Sequence, residues 1–274
     1  MSDVEERIRE VVADLLKTGH VKYVIGYERG STSSRTRPCF ITDHDDASRL
    51  VWNEYCTSSL PKYLIGCEDK VGILVKGCDG RAIVELIKEK QVDRGRVVVI
   101  SPPCPGMMRA RGPDDEEHLA PYCERCPSRT SPLADIRIES KDTEVSTAAQ
   151  VQAKRERKPW LETFQDCIEC MACIRSCPLC YCEKCELDGS LPSLVSKLRV
   201  PGELQTFHLV KAMHMAGRCV GCGACEAACP VGIPLTELYS RANDRVKELL
   251  GYIPGIDIES TPPVELPRRE VDRG

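Results

Sequence analysis

Apolar residues recur at helical spacing over residues 4–18, where Ile8, Val11, Val12, Leu15 and Leu16 share one face with Glu and Arg between them. Gly19 ends that helix, Val21–Gly26 reads as a short strand, and Gly30–Pro38 reads as a loop from its Ser, Thr and Pro content. The clearest pattern lies at 71–101. Val71–Val75 has the unbroken apolar character of a buried strand, and Gly77–Gly80 reads as a turn. Arg81–Lys90 reads as a helix with Ile83, Leu86 and Ile87 on one face, and Val97–Ile100 is a second apolar strand. Strand, helix and strand within about thirty residues predict a βαβ unit and hence a parallel sheet.

Beyond that unit the pattern changes. Residues 102–134 are rich in Pro, Gly, Cys and charge, and 137–158 are polar with no period that buries a face. Glu203–Ala216 reads as a helix with Phe207, Val210 and Met213 on one side. This organisation predicts an α/β domain over 1–136, a linker over 137–158, a second domain over 159–251, and a proline- and charge-rich extended tail over 252–274.

Charge and composition narrow the function classes. The net charge is −4 and the pI about 5.9, which argues against a nucleic-acid partner. No apolar run approaches the roughly 20 residues of a membrane span. The first residues, Met1-Ser-Asp-Val-Glu-Glu, lack a basic segment followed by an apolar one, so neither a secretory signal nor a membrane anchor is expected. Eighteen cysteines change the picture most. Dense Cys-x-x-Cys spacing without a signal segment points to metal or cluster ligation in a reducing cytoplasm, not to disulfides.

The cysteines contain one internal repeat. Cys167-Ile-Glu-Cys-Met-Ala-Cys-Ile-Arg-Ser-Cys-Pro178 matches Cys219-Val-Gly-Cys-Gly-Ala-Cys-Glu-Ala-Ala-Cys-Pro230 at every cysteine and at the proline. A 4Fe–4S cube takes four thiolates; Cys-x-x-Cys-x-x-Cys supplies three from one loop, and the fourth cysteine, before proline, ligates the other cube in two-cluster ferredoxins. The spacing therefore predicts one cluster on Cys167, Cys170, Cys173 and Cys229, and a second on Cys219, Cys222, Cys225 and Cys177. The second domain is then an α+β, two-cluster ferredoxin-like domain. Zinc knuckles use paired Cys-x-x-Cys units instead of this doubled four-cysteine pattern. Gly221 and Gly223 let the backbone approach the cluster sulfides.

Four more cysteines follow the predicted parallel strands. Cys78 and Cys104 sit after adjacent strand ends, where open α/β sheets build their sites, and Cys123 and Cys126 form a Cys-x-x-Cys unit. Together they are a candidate third 4Fe–4S site; zinc, or structural thiols plus a surface Cys-x-x-Cys, are the alternatives. Cys180, Cys182 and Cys185 read as thiols around the cluster, with a further metal or cluster site or a thiol pair exposed to a partner as the alternative, and Cys39, Cys56 and Cys67 read as small buried hydrophobes. His208 and His214 read as surface or core histidines. Asp79 and Arg81 flank Cys78.

The segments Val75-Lys-Gly-Cys-Asp-Gly-Arg-Ala-Ile-Val84, Val98–Gly106 and Cys123-Glu-Arg-Cys126 resemble the beta-subunit family of coenzyme-F420-type (deazaflavin) hydrogenases and formate dehydrogenases. Cys177-Pro-Leu-Cys-Tyr-Cys-Glu-Lys-Cys185, Phe207-His-Leu and Gly217-Arg-Cys-Val-Gly-Cys222 are similar to its dicluster iron–sulfur members. The resemblance covers residues 50–240. It implies a cytoplasmic iron–sulfur electron-transfer subunit of an anaerobic oxidoreductase complex, with formate dehydrogenase, hydrogenase or heterodisulfide-reductase-like partners. It also implies FAD as a further cofactor, and with it an alternative function as a flavin-bearing subunit converting hydride to single electrons. The chain has no Gly-x-Gly-x-x-Gly fingerprint. Electron relay is therefore the primary expectation, with no catalytic residue assigned.

Overall fold

The computed structural model describes residues 3–109, 118–126, 128–139, 159–185, 187–188 and 201–263. Helix α1 (Asp3–Lys17) has acidic residues in its first turn and Lys17 in its last, matching the helix dipole. It buries Ile8, Val12 and Leu15 in the core. Strands β1 (Val24–Arg29) and β2 (Thr36–Ile41) form an antiparallel pair. The expected loop over Gly30–Pro38 is thus shorter, because Thr36, Arg37 and Pro38 belong to β2. The order places β2 at an edge of the sheet, where Pro38 is tolerated.

The βαβ unit is present. Strand β3 (Val71–Leu74), helix α2 (Gly77–Lys88) and strand β4 (Val97–Ser101) follow in turn, with β3 and β4 parallel. Every residue of β3 and β4 is buried, which explains why both read as unbroken apolar runs. Gly77–Gly80 is not a separate turn but the first turn of α2. The Asp79 carboxylate closes that end by accepting from the Lys76 backbone N–H at 3.4 Å.

Two short strands, β5 (Met108–Arg109) and β6 (His118–Leu119), pair antiparallel and lead into the one-turn helix α3 (Pro121–Glu124). Strand β7 (Ile136–Arg137) then pairs parallel with β4, giving a mixed sheet of order β2-β1-β3-β4-β7. The sheet therefore takes in Arg137, and Ile138 is buried beyond it. The rest of the expected linker, 140–158, lies outside the described residues.

The described residues of the C-terminal half form helices and no strand, where an α+β domain was expected. Helices α4 (Trp160–Thr163) and α5 (Ala172–Arg175) precede α6 (Pro201–Met215), and α7 (Ala224–Ala227) precedes α8 (Leu235–Leu250). Helix α6 buries Phe207 as expected, but Met213 is 72% exposed; His208, Lys211 and Met215 take the inner face instead. Of the tail, Tyr252 and Gly255 pack on α2, both donating hydrogen bonds to Glu85 at 2.7 Å. Residues 264–274 lie outside the described residues. No described helix is long and apolar enough to cross a membrane.

Side chains tie the two halves together. Glu89, just past α2, accepts from Arg218 Nη2 at 2.7 Å and from the Tyr181 hydroxyl at 2.8 Å. Arg109 pairs with the buried Glu226 at 3.0 Å, and Arg81 donates to the Val220 carbonyl. Buried residues of both halves form one contiguous hydrophobic cluster.

Candidate iron–sulfur sites

The two sequence repeats are also repeats of backbone geometry. In the second, Gly221 and Gly223 take positive φ, +68° and +74°. In the first, Glu169 and Met171 stand at the equivalent positions with φ of +52° and +58°. Non-glycine residues in this left-handed region cost about 1–2 kcal/mol each, so the ligand loop holds its shape at some expense. The result is the same contact twice: Glu169 N–H points at Cys167 Sγ and Gly221 N–H at Cys219 Sγ, both at 3.4 Å. These N–H groups are aimed where charge on the sulfur would collect. The repeat alignment contained this signal, since glycine in one copy marks the position whose partner must also turn left-handed.

Each loop runs into a one-turn helix, α5 or α7, and these two helices pack on each other. That packing carries the fourth cysteine of each repeat toward the other loop. Cys167, Cys170, Cys173 and Cys229 line one recess, so these four cysteines are brought together. Cys219, Cys222 and Cys225 lie within electrostatic reach of one another, and Cys177 within reach of Cys222.

The N-terminal four also meet. Cys78, Cys104, Cys123 and Cys126 line a second recess, and Cys222 of the C-terminal half lines it too. Cys78 is the second residue of α2 and Cys104 lies just beyond β4, both at the carboxyl end of the parallel strands. The Cys104 loop is held by Trp52, whose indole N–H donates to the Pro103 carbonyl at 2.9 Å. Met107 N–H reaches Cys123 Sγ at 3.3 Å. Lys76 borders this recess, and its buried ammonium is compensated by Asp79 at 3.0 Å and by the Cys56 and Ser58 carbonyls.

Burial pushes these thiols up: Cys173 and Cys123 to about 11, Cys222 to about 12, and Cys78 and Cys225 well above the ordinary thiol value. A metal or cluster bound at any of these places would therefore displace protons. Among the described residues, the only trio of His, Cys, Asp or Glu ligand atoms lying mutually within 4.8 Å is Asp43, His44 and Asp45. Zinc–sulfur bonds of about 2.3 Å would hold tetrahedral sulfurs about 3.8 Å apart. No three cysteine sulfurs among the described residues meet that closely, and four soft thiols are the donor set that an iron–sulfur cube takes.

The remaining cysteines divide. Cys39 and Cys56 are buried, as expected for small hydrophobes, whereas Cys67 is half-buried against the Tyr23 hydroxyl at 3.2 Å. Cys180 touches Cys177. A hydrogen bond from Cys177 and the nearby Lys211 ammonium, 3.5 Å from Cys180 Sγ, pull the Cys180 thiol down, while Cys177 is pushed up. Cys182 is exposed. Sequence reasoning passed over Lys211, whose position in a predicted helix gave no sign that it is 2% exposed beside the cysteines.

Residues 162–233 match the family model described as a 4Fe-4S dicluster domain. The chain is 36% identical over 105 residues to a protein of Methanocaldococcus jannaschii named F420-dependent formate dehydrogenase subunit beta, a match spanning 38% of this chain and 27% of that protein. It is 24% identical over an alignment of 352 residues to F420-dependent formate dehydrogenase 1 subunit beta of Methanococcus maripaludis, spanning 90% of each. These relatives bear out the resemblance to the formate dehydrogenase beta-subunit family, and the dicluster match supports iron–sulfur clusters within residues 162–233.

Proposed function

We propose that this protein is an iron–sulfur electron-transfer subunit of a formate-dehydrogenase-type redox complex, carrying three 4Fe–4S clusters and passing single electrons between a catalytic partner and a second redox protein. Cys167, Cys170, Cys173 and Cys229 hold one cluster, Cys219, Cys222, Cys225 and Cys177 the second, and Cys78, Cys104, Cys123 and Cys126 the third. The observation that carries this reading is the recess in which Cys229 joins the three cysteines of the opposite repeat, inside the segment matching a dicluster domain. Relatives named as formate dehydrogenase beta subunits support the kind of complex.

The clusters, when bound, supply reversible one-electron acceptors. The chain's own residues hold them and set their surroundings. Loop N–H groups point at ligand sulfurs, which favours the reduced, more negative state. Cys222 belongs to one proposed set and lines the recess of another. The N-terminal site therefore adjoins the Cys219 set, and the Cys219 set adjoins the Cys167 set through α5 and α7. That order makes the Cys219 cluster the middle station of a relay.

Purification under strict anaerobiosis, with dithionite reduction followed by electron paramagnetic resonance, tests the function. Reversible reduction of the bound clusters is expected; clusters that do not accept electrons would leave only a structural role. Flavin release on denaturation, measured in the same sample, tests whether FAD accompanies them.

A further inference from the structure

Helix α6 turns two polar side chains into the cysteine region without giving them ordinary partners. His208 is 1% exposed and lines the recess with Cys167, Cys170, Cys173 and Cys229. Its ring stacks on Phe164 at 4.5 Å and meets Phe207 edge-on at 5.0 Å, so its orientation is fixed by packing. Yet both ring nitrogens are buried with no hydrogen-bond partner among the described residues. A purely packing role would be filled as well by Phe or Leu, without leaving a buried donor unmet.

One helical turn on, Lys211 is 2% exposed. Its ammonium donates to the Cys173 carbonyl at 2.8 Å and lies 3.5 Å from Cys180 Sγ. It stands within electrostatic reach of Cys177, Cys173 and Cys225, which belong to both C-terminal ligand sets. The contrast with Lys76 is informative. Lys76 is equally buried but has Asp79 beside it, whereas no carboxylate pairs with Lys211 among the described residues. A buried cation held only by a carbonyl and a cysteine sulfur is costly. A cube bound by four thiolates is a net anion with sulfur acceptors, and it would meet both needs.

We propose that α6 sets the potentials of the two C-terminal clusters, His208 donating an N–H hydrogen bond to the cluster held by Cys167, Cys170, Cys173 and Cys229, and the Lys211 ammonium stabilising the extra negative charge of either cluster when reduced. The proposal rests on the ligand assignment made above. Both residues act as positioning groups for charge; neither ligates iron nor changes protonation during electron uptake. His208 faces one cluster and Lys211 both, so their removal has different reach.

The test is a redox titration of the full anaerobic chain, followed by electron paramagnetic resonance, in wild type, Lys211→Met, Lys211→Arg and His208→Phe. Lys211→Met is expected to lower the reduced-to-oxidised ratio of both C-terminal clusters at least tenfold at fixed potential, which is 59 mV for one electron. Lys211→Arg should restore most of that shift, and His208→Phe should move one cluster only. Wild type labelled with ¹⁵N at histidine should show a weak nitrogen coupling to one reduced cluster. Unchanged potentials, no nitrogen coupling, or a strong coupling marking direct ligation would each overturn the proposal. If His208→Phe fails to hold its clusters, the labelled wild type still decides for His208, and if Lys211→Met fails, Lys211→Gln takes its place in the titration. A wild-type chain without iron would overturn the ligand assignment itself, and this proposal with it.

Discussion

Replacing Glu89 by Ala should loosen the join between the two halves of the molecule. Glu89 receives a fork from Arg218, one arm at 2.7 Å, and a further hydrogen bond from Tyr181 at 2.8 Å. The Arg218 and Glu89 side chains are 18% and 14% exposed, so water replaces the lost partner only in part. Breaking a fully buried pair costs about 3–5 kcal/mol and an exposed one at most about 1, which places Glu89→Ala at roughly 2–3 kcal/mol. Glu89→Gln keeps an acceptor and should cost about 1 kcal/mol. Arg218 also donates to the Leu179 carbonyl at 3.1 Å, so Arg218→Ala removes more than the pair. The double variant Glu89→Ala/Arg218→Ala should therefore lose about 1–2 kcal/mol less than the sum of its singles. Urea unfolding under anaerobic conditions, read as midpoint differences at a common slope, measures these terms. A Glu89→Ala variant within about 0.5 kcal/mol of wild type, or additive singles, would refute the claim that this fork couples the halves.

Glycine replacements separate space from backbone strain. At Gly221 a Cβ meets nothing within 4 Å, so Gly221→Ala should cost only the left-handed penalty of about 1–2 kcal/mol. At Gly223 it would stand 2.3 Å from the Tyr122 ring, and Gly223→Ala should cost about 3 kcal/mol or more in the same unfolding assay. Glu169→Gly relieves the equivalent strain in the first repeat and should stabilise by about 0.5–1 kcal/mol. Cys229→Ser should remove about four irons per chain. Cys177→Ser should retain more, because the Cys180 thiol touches Cys177 and can take its place.

What the sequence made legible was what depends on spacing. Buried strands β3 and β4 stood out because both faces are covered, so no polar residue interrupts them. The doubled motif was legible from spacing alone, and Cys229 lines one recess with Cys167, Cys170 and Cys173. What stayed hidden depends on long-range packing. Thr36–Pro38 read as loop because an edge strand has one wet side and tolerates proline. Met213 read as part of the inner face and Lys211 drew no reading, yet Met213 is exposed and Lys211 is buried. Helical periodicity weighs hydrophobicity alone and cannot foresee an inner face that solvates charge. Tyr252 and Gly255 gave no pattern, and their place on Glu85 comes from the fold of a distant helix.

The central claim is that three cysteine sets each hold a four-iron cube, and iron and acid-labile sulfide counted per chain test it most directly. Protein purified anaerobically should contain about twelve irons and as many sulfides, falling to about eight in Cys104→Ser with the two C-terminal resonance signals retained. A wild-type value of about eight would remove the N-terminal cluster, and one or two zinc ions in place of iron would contradict the account as a whole.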